Sequence, residues 1–204
     1  MSPRPRKVSD EDVFAAAYRA MNRLGPGELT LAEIAGEAGV TAGALVQRFG
    51  SKRQLLLALA EGVAESAGDM IEGMRAAHGA PLAALRAYAE CLAQLAATPE
   101  ALARSLAYLQ IDISDEDFRR HLLVQARATR AGITRLLEEA HARGDLAAGT
   151  DIPRLVRAVE AVLGGAIFTW AVYQEGTAAE WMRTDLEAVL APYLTGGRSE
   201  GGTL

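Results

Sequence analysis

The residues that most often carry chemistry in proteins are few and scattered in this sequence. Three histidines lie far apart, at His78, His121 and His141. The single cysteine, Cys91, excludes an internal disulfide and a cysteine-based zinc cluster. The acidic cluster at 115–117 suits a helix N-terminus rather than a metal site. No Ser-His-Asp, Cys-His or phosphate-loop pattern is present, so we expect no enzyme activity, no cofactor and no bound metal.

One stretch has residue types and spacing that suit binding chemistry: "GVTAGALVQRFGSK", residues 39–52. Glycines and a threonine come before a short run that ends in Phe49, so a helix here has only about two turns. Small residues stand near its start and polar ones later, which suits a major groove about 12 Å wide. The residues expected to face outward, wholly or in part, are Thr41, Ala42, Gly43, Ala44, Val46, Gln47 and Arg48.

A second short helix must hold that one in place. "TLAE" at 30–33 reads as a capping box that opens a helix ending at Gly39, which turns the chain without steric cost. Ala35 must be small so that the two helices can cross closely. Leu45 and Phe49, four residues apart, form the buried side of the second helix. This arrangement is a helix-turn-helix.

The whole chain has the composition of a helical protein. Half of its 204 residues are hydrophobic, and β-branched and aromatic residues are scarce. Capping and periodicity predict nine helices and no strand, over about 10–24, 31–38, 42–48, 52–77, 81–97, 99–110, 114–143, 152–174 and 180–194. Two "SDED" stretches, at 9–12 and 114–117, are each expected to cap a helix.

The distribution of charge and the length of the apolar runs limit the possible partners and the cellular location of the protein. Residues 1–53 hold eight Arg or Lys against six Asp or Glu, which gives +2, and residues 54–204 hold thirteen against twenty, which gives −7. A basic head on an acidic body is compatible with nucleic-acid binding. Charges interrupt every apolar run before the roughly 20 residues that span a bilayer, and no signal peptide is evident. We expect a cytoplasmic protein with no membrane partner.

The segment "LTLAEIAGEAGVTAGALVQRFGSKRQLLLALAE" resembles the DNA-binding domain of the TetR (tetracycline repressor) family of transcriptional regulators. The close match covers about residues 9–60. The resemblance implies an all-α fold with an N-terminal three-helix helix-turn-helix domain and a C-terminal helical domain for ligand binding and dimerisation. The corresponding boundaries are residues 1–53 for the head, 54–195 for the body and 196–204 for a disordered tail.

The resemblance also implies roles for single residues. Thr41 and Lys52 match phosphate-contacting positions, and Gly43 matches one where the backbone approaches DNA. Ala44 matches a base-contacting position, where it can touch a thymine methyl. The full expected DNA-binding set is Thr30, Thr41, Ala42, Gly43, Ala44, Val46, Gln47, Arg48 and Lys52.

Three of these positions depart from the family pattern. The family commonly carries aromatic residues at the positions of Val46 and Gln47, and histidine at that of Arg48. Gln47 could instead read adenine, and Arg48 could pair with phosphate or guanine, so we expect an unusual operator. The basic arm "PRPRK", residues 3–7, either reaches the minor groove or is a solvated tail.

In the body, the resemblance implies a dimer formed by the last two helices and a pocket for a small-molecule effector. The candidate dimer contacts are Leu163, Ala166, Ile167, Trp170, Leu186, Val189, Leu190 and Tyr193. The candidate effector contacts are Met70, Met74, Cys91, Tyr108, Gln110, Asp112, Gln125, Phe168 and Trp170. Few charges fall among the second set, which favours a largely apolar or aromatic effector.

The sequence thus predicts a homodimeric regulator, most often a repressor in this family, that binds a pseudo-palindromic operator and is released by an effector. Two alternatives remain open. One is a DNA-binding regulator that has no ligand or acts as an activator. The other is a small-molecule-binding protein or enzyme with a vestigial helix-turn-helix, which the missing aromatic residues at Val46 and Gln47 motivate.

Overall fold

The computed structural model of the chain describes residues 8–95 and 98–195. Within these ranges the fold is all-α, as predicted, with nine α-helices and no strand beyond one isolated bridge between Leu146 and Leu194. The helices are α1 (Asp10–Arg23), α2 (Leu31–Ala38), α3 (Ala42–Phe49), α4 (Lys52–His78), α5 (Pro81–Leu95), α6 (Pro99–Ser114), α7 (Glu116–Ala142), α8 (Ile152–Tyr173) and α9 (Ala178–Leu190). The basic arm and the predicted tail lie outside the described residues.

The two "SDED" stretches behave differently, which corrects one prediction. Ser9 forms a full capping box with Asp12 at the start of α1. In the second stretch, Ser114 is the last residue of α6, and its hydroxyl donates to the Ile111 carbonyl. Asp115 stands directly before the next helix, with its carboxylate accepting from the Asp117 amide. The predicted end of α6 near residue 110 was therefore wrong, because no breaker interrupts the helix before this junction.

The first compact unit takes in the chain as far as Val63, together with Ala103–Leu122. Its core contains almost fully buried side chains of α1 to α4 and of the loop between α1 and α2. The core residues are Val13, Ala17, Ala20, Leu29, Ile34, Ala35, Leu45, Leu55 and Leu59. The small residues Ala17, Ala20 and Ala35 allow the short helices to approach closely, so a head of few residues still has a dry core.

The second compact unit takes in Ala64–Leu102 and the chain from Leu123 onward. Its core is larger and includes Leu85, Leu136, Leu155, Met182 and Leu186, each at most 1% exposed. Helices α5, α8 and α9 pack together there. Because most of this core comes from leucine and alanine at helical spacing, it needs no strand for its stability.

Helix α8 is the one helix among the described residues that is long and apolar enough to cross a membrane by length and composition. Only 33% of its most apolar window is buried within the chain. Its inward residues, which include Leu155, Val159 and Leu163, belong to the core of the second unit. The core therefore accounts for one face of α8 and leaves the other face unexplained.

Candidate nucleic-acid interface

Helices α2 and α3 form the helix-turn-helix, and each local feature has a cause in the sequence. Thr30 caps α2 by accepting from the Glu33 amide, and Thr41 caps α3 by accepting from the Ala44 amide at 3.1 Å. Gly39 ends α2 in the left-handed conformation, with φ of 69°. The Glu33 carboxylate pairs with Arg23 instead of closing a capping box on Thr30. The two caps and the glycine fix where α3 begins.

Helix α3 has one buried side and one open side. Leu45 is 1% exposed, and Phe49 packs against Phe14 with ring centroids 6.0 Å apart. The residues that the structure leaves exposed on and before α3 are Thr41, Gly43, Ala44, Val46, Gln47 and Arg48, while Ala42 is half-buried. This division agrees with the pattern of a helix that packs on one face only.

Gly43 has no packing partner that would require a glycine. A Cβ added there would meet only the Thr41 hydroxyl, at 3.9 Å, which is ordinary van der Waals contact. Glycine costs about 1 kcal/mol relative to alanine inside a helix. The fold alone gives no reason for glycine at this exposed position.

Arg48 is engaged within the head. Its guanidinium pairs with the Asp10 carboxylate, donates from Nη1 to the Val8 carbonyl at 2.8 Å, and lies 5.5 Å from the centroid of the Phe49 ring. These contacts tie the start of α1 to the end of α3. Sequence reasoning missed this role because it depends on a contact 40 residues away.

Lys52 also makes main-chain contacts inside the head. Its Nζ donates to the carbonyls of Pro26 at 3.2 Å and Leu29 at 2.7 Å. These bonds fix the loop between α1 and α2, directly before the cap at Thr30. An ammonium has three donors, so one remains for a further acceptor.

Residues of α6 and α7 complete the first unit, which the sequence did not indicate. The Arg53 guanidinium donates to Asp115 at 2.9 Å and to Asp117 at 2.8 Å, and it lies 5.7 Å from the Phe118 ring centroid. The Tyr108 hydroxyl donates to the Leu24 carbonyl at 3.0 Å. The start of α4 and the end of α1 are thus held by side chains from the middle of the chain.

The pKa values of three acidic residues near that junction are shifted in opposite directions. Hydrogen bonds from Arg53 lower the pKa of the Asp115 and Asp117 carboxyls. Burial raises the pKa of Asp112, and burial together with the nearby Asp112 charge raises the pKa of the Tyr18 hydroxyl. Burial also raises the pKa of Tyr108 to about 12. Within this short stretch, the pKa of two carboxyls is thus lowered by ion pairing and the pKa of a third is raised by burial.

The predicted effector residues are divided between the two units. Tyr108, Gln110 and Asp112 belong to the first unit, and Met70, Met74, Cys91, Gln125, Phe168 and Trp170 belong to the second. Met74 packs against the core, whereas Met70 and Phe168 are exposed. Trp170 is 6% exposed, and its indole nitrogen donates to the Gly176 carbonyl. Within the described chain, no group of three or more His, Cys, Asp or Glu residues could hold a metal.

The predicted dimer contacts are mostly inside the second unit. Six of them have at most 9% of their surface exposed: Leu163, Ala166, Ile167, Trp170, Leu186 and Leu190. Val189 and Tyr193 are partly buried and pack against the same core. On α8 the exposed positions are instead Gly164, Gly165, Phe168 and Val172, among others.

A capped two-turn helix with one open side, set on a small α-helical core, defines a helix-turn-helix DNA-binding regulator. Two family models match the chain. "Bacterial regulatory proteins, tetR family" covers residues 13–59, and "Tetracyclin repressor-like, C-terminal domain" covers residues 81–186. The chain belongs to the TetR family of transcriptional regulators.

Solved structures have the same fold at low sequence identity. A TetR transcription regulator from Haloarcula marismortui is 22% identical, with a TM-score of 0.71 over 91% of this chain and 98% of that one. SmeT, the repressor of the multidrug efflux pump SmeDEF of Stenotrophomonas maltophilia, is 24% identical, with a TM-score of 0.66 over 96% of each chain. FadR, a fatty acid degradation regulator from Bacillus halodurans, is 16% identical, with a TM-score of 0.67 over 89% of this chain and 98% of that one. No curated protein sequence matches the chain.

Proposed function

We propose that this regulator is a cytoplasmic, homodimeric repressor that binds a pseudo-palindromic operator and is released by a largely apolar or aromatic small molecule. In this proposal the protein acts by binding and carries out no catalysis. Two copies of α3 enter successive major grooves about one helical turn apart. The effector acts through its higher affinity for a conformation in which the heads are wrongly spaced.

The open side of α3 is the observation that carries this proposal. Gly43 is exposed with free space around it, and the Gln47 side chain has no hydrogen-bond partner among the described residues. A glycine that the fold does not require is explained if a DNA backbone passes against it. The small side chains of Ala42 and Ala44 beside it would permit the same close approach.

The test compares Gly43→Ala with the matched control Gly73→Ala. Both glycines are exposed helical positions where an added Cβ is tolerated, and Gly73 lies on α4 in the second unit. We expect both variants to keep or raise the melting temperature. Only Gly43→Ala should weaken DNA binding, by about tenfold or more, which corresponds to about 1.4 kcal/mol.

Binding is measured first on the DNA upstream of the protein's own gene, and then on genomic fragments selected by the wild-type protein. If Gly43→Ala and Gly73→Ala bound DNA with equal affinity, the proposed insertion of α3 into the major groove would be contradicted. A wild type that selects no sequence from the genome would contradict the regulator function as a whole.

The effector part of the proposal is supported by the composition of the body and by two similar structures. SmeT has been solved in a complex with triclosan, and FadR is a regulator of fatty acid degradation. Triclosan and fatty acids are both largely apolar compounds. Helices α6 and α7 each contribute residues to both compact units. Each helix therefore continues from the unit that would bind the ligand into the unit that contains α3.

The effector test uses triclosan and dodecanoate as probes on the full chain. We expect one of these apolar probes to raise the melting temperature through selective binding to the native state. The same probe should weaken operator binding in a gel-shift titration. A probe that stabilises the protein but leaves DNA affinity unchanged would count against effector-controlled release.

A further inference from the structure

Two short segments connect the helix-turn-helix to the rest of the chain. The upstream loop, residues 24–30, leads from α1 into α2, and the downstream turn, residues 50–53, leads from α3 into α4. Helices α2 and α3 have only eight residues each. Helices of this length are marginal on their own, so their orientation depends on packing and on how the two connecting segments are held.

Lys52 ties the two connecting segments to each other. Its Nζ, in the downstream turn, donates to the carbonyls of Pro26 and Leu29 in the upstream loop, at 3.2 Å and 2.7 Å. Within the upstream loop, the Gly25 carbonyl accepts from the amides of Glu28 and Leu29, each at 3.1 Å. The chain therefore enters and leaves the helix-turn-helix at one hydrogen-bonded place.

Tyr108 of α6 holds the upstream loop from outside the helix-turn-helix. Its hydroxyl donates to the carbonyl of Leu24, the residue that caps the C-terminal end of α1, at 3.0 Å. Among the described residues that pack against the core of the first unit, Tyr108 is the only one from beyond α4. Burial raises the pKa of Tyr108 to about 12, so the hydroxyl keeps its proton and remains a donor at neutral pH.

Two carboxylates at the junction of α6 and α7 hold the downstream turn. The Arg53 guanidinium donates to Asp115 at 2.9 Å and to Asp117 at 2.8 Å, and it lies 5.7 Å from the centroid of the Phe118 ring. The Phe118 side chain is 7% exposed. The charged side chains themselves are between 32% and 45% exposed, so salt screens this contact.

Both outside contacts come from one stretch of the chain, Ala103–Leu122, which belongs to the same compact unit as the helix-turn-helix. One contact holds the backbone before α2, and the other holds the first turn of the helix after α3. A change at either contact would alter how α2 and α3 are presented while leaving their own residues untouched.

We propose that Tyr108, Asp115 and Asp117 are positioning residues for DNA binding, which set the orientation of α2 and α3 by holding the upstream loop and the downstream turn. None of the three touches DNA. For Tyr108 this role differs from the effector contact that the sequence predicts. The role rests on the DNA-binding α3 of the proposed function, and it adds residues of α6 and α7 to the parts that DNA binding requires.

Tyr108→Phe tests the upstream contact, because it removes the hydroxyl and keeps the ring in the core. Operator affinity should fall by about fivefold, which corresponds to about 1 kcal/mol, with base preference and salt dependence unchanged. The matched control is Tyr88→Phe, which removes the hydroxyl of a tyrosine that is 6% exposed and interacts with Thr129 in the second unit. Equal losses in the two variants would contradict the positioning role of Tyr108.

Asp117→Asn tests the downstream contact with a prediction of opposite sign to simple electrostatics. Removing a negative charge should strengthen phosphate attraction and tighten binding to any DNA. The positioning role instead predicts operator binding about fivefold weaker at low salt, with affinity for random DNA unchanged or higher. Glu116→Gln removes the same charge at the neighbouring exposed residue and should not weaken operator binding. Tighter operator binding by Asp117→Asn would overturn the role of the carboxylates.

Hydrogen exchange of the free protein distinguishes positioning from a general loss of stability. Tyr108→Phe should speed exchange of the Glu28 and Leu29 amides, which lie in the upstream loop. Asp117→Asn should speed exchange of the Gln54 amide, which follows the downstream turn. Amides of α8 and α9 should keep their protection. A uniform loss of protection across both units would contradict a local role.

The behaviour of the wild type separates failure of this role from failure of the proposed function. If the wild type selects an operator and both variants bind it as tightly, the positioning role is overturned and the regulator function stands. If the wild type selects no sequence from the genome, the proposed function fails and the positioning role fails with it.

Discussion

At the scale of single residues, Arg48 is the position where contacts change the interpretation most. The sequence suggests that it reads phosphate or guanine, whereas its guanidinium pairs with Asp10 and with the Val8 carbonyl. An arginine held in this way orients α3 and the start of the N-terminal helix. Arg48 can therefore affect DNA binding without touching DNA.

We expect Asp10→Ala to reproduce most of the loss of DNA affinity that Arg48→Ala causes. Both variants should keep the wild-type base preference, because both act on the orientation of α3. Affinities for an operator and for its single-base variants provide the measurement. A changed preference at one base pair in Arg48→Ala only would show that Arg48 reads that base directly.

Asp112 and Asp115 form a matched pair for pH dependence. Burial raises the folded-state pKa of Asp112 above its ordinary value of 3.8, so its ionised form costs stability at neutral pH. Arg53 lowers the pKa of Asp115, so its ionised form contributes stability that is lost as the pH falls through the folded value. Replacing the two carboxyls by neutral amides should therefore change the melting temperature in opposite directions.

Asp112→Asn is expected to raise the melting temperature at pH 7, and the gain should shrink as the pH approaches 3.8, the ordinary pKa of the carboxyl. Asp115→Asn should lower the melting temperature at pH 7, more at low salt than at high salt because the ion pair is exposed. Thermal melts of the two variants from pH 8 to pH 4 decide this. Shifts of the same sign at pH 7 would contradict the assignment.

At the scale of helices, the capping residues make the boundaries predictable. Ser9 and Thr30 cap helices where the sequence predicts caps. Thr41 and Asp151 stand directly before the helices predicted at 42–48 and 152–174, and they cap them. The core face of α3 was predictable for the same reason, because Leu45 and Phe49 are separated by one turn. Local rules suffice where the decisive contacts lie within four residues.

Helix α8 shows where such rules fail. It is apolar on more than one face, so periodicity alone cannot tell which face meets the core of its own chain. The prediction of Leu163, Ile167 and Trp170 as dimer contacts selected the inward face. Exposure of Gly164 and Phe168 follows only from the packing of α5 and α9 against the other side.

Helices α4 and α7 approach each other closely at Gly132. A Cβ added there would lie 2.8 Å from Cδ1 and 3.1 Å from Cβ of Ile71, which is itself 2% exposed. The Ile71 Cβ cannot move away by a change of rotamer, so the helices would have to separate. Gly132→Ala should destabilise the protein by about 1–2 kcal/mol and lower its melting temperature by about 2–6 °C.

Gly73→Ala is the control for that substitution. Gly73 lies on α4 with nothing within 4 Å of an added Cβ, so alanine should stabilise the helix by up to about 1 kcal/mol. Chemical unfolding measures the free energy of unfolding of both variants, which should fall for Gly132→Ala and rise for Gly73→Ala. If Gly132→Ala were as stable as Gly73→Ala, the α4–α7 contact would be looser than the distances to Ile71 indicate.

At the scale of the whole molecule, the distribution of charge along the chain bears on DNA binding. The chain carries a net charge of −5, while residues 1–53 carry +2, so phosphate attraction must come from a few local cations. Among them, Arg48 and Lys52 are engaged in contacts within the head, and Arg53 pairs with Asp115 in the same compact unit. The arm residues Arg4, Arg6 and Lys7 therefore become the main candidates for a diffuse electrostatic contribution.

Deleting residues 2–7 should lower operator affinity on every sequence and flatten its salt dependence. Each lost phosphate contact reduces the slope of log affinity against log salt by about 0.9. Because a dimer carries two arms, three contacting cations in each would reduce the slope by about 5, and a monomer would reduce it by about half as much. Arg127→Gln removes one charge from the second unit and should leave the slope unchanged. An arm deletion with an unchanged slope would mean that the basic arm is a solvated tail, and that DNA binding depends on the helices alone.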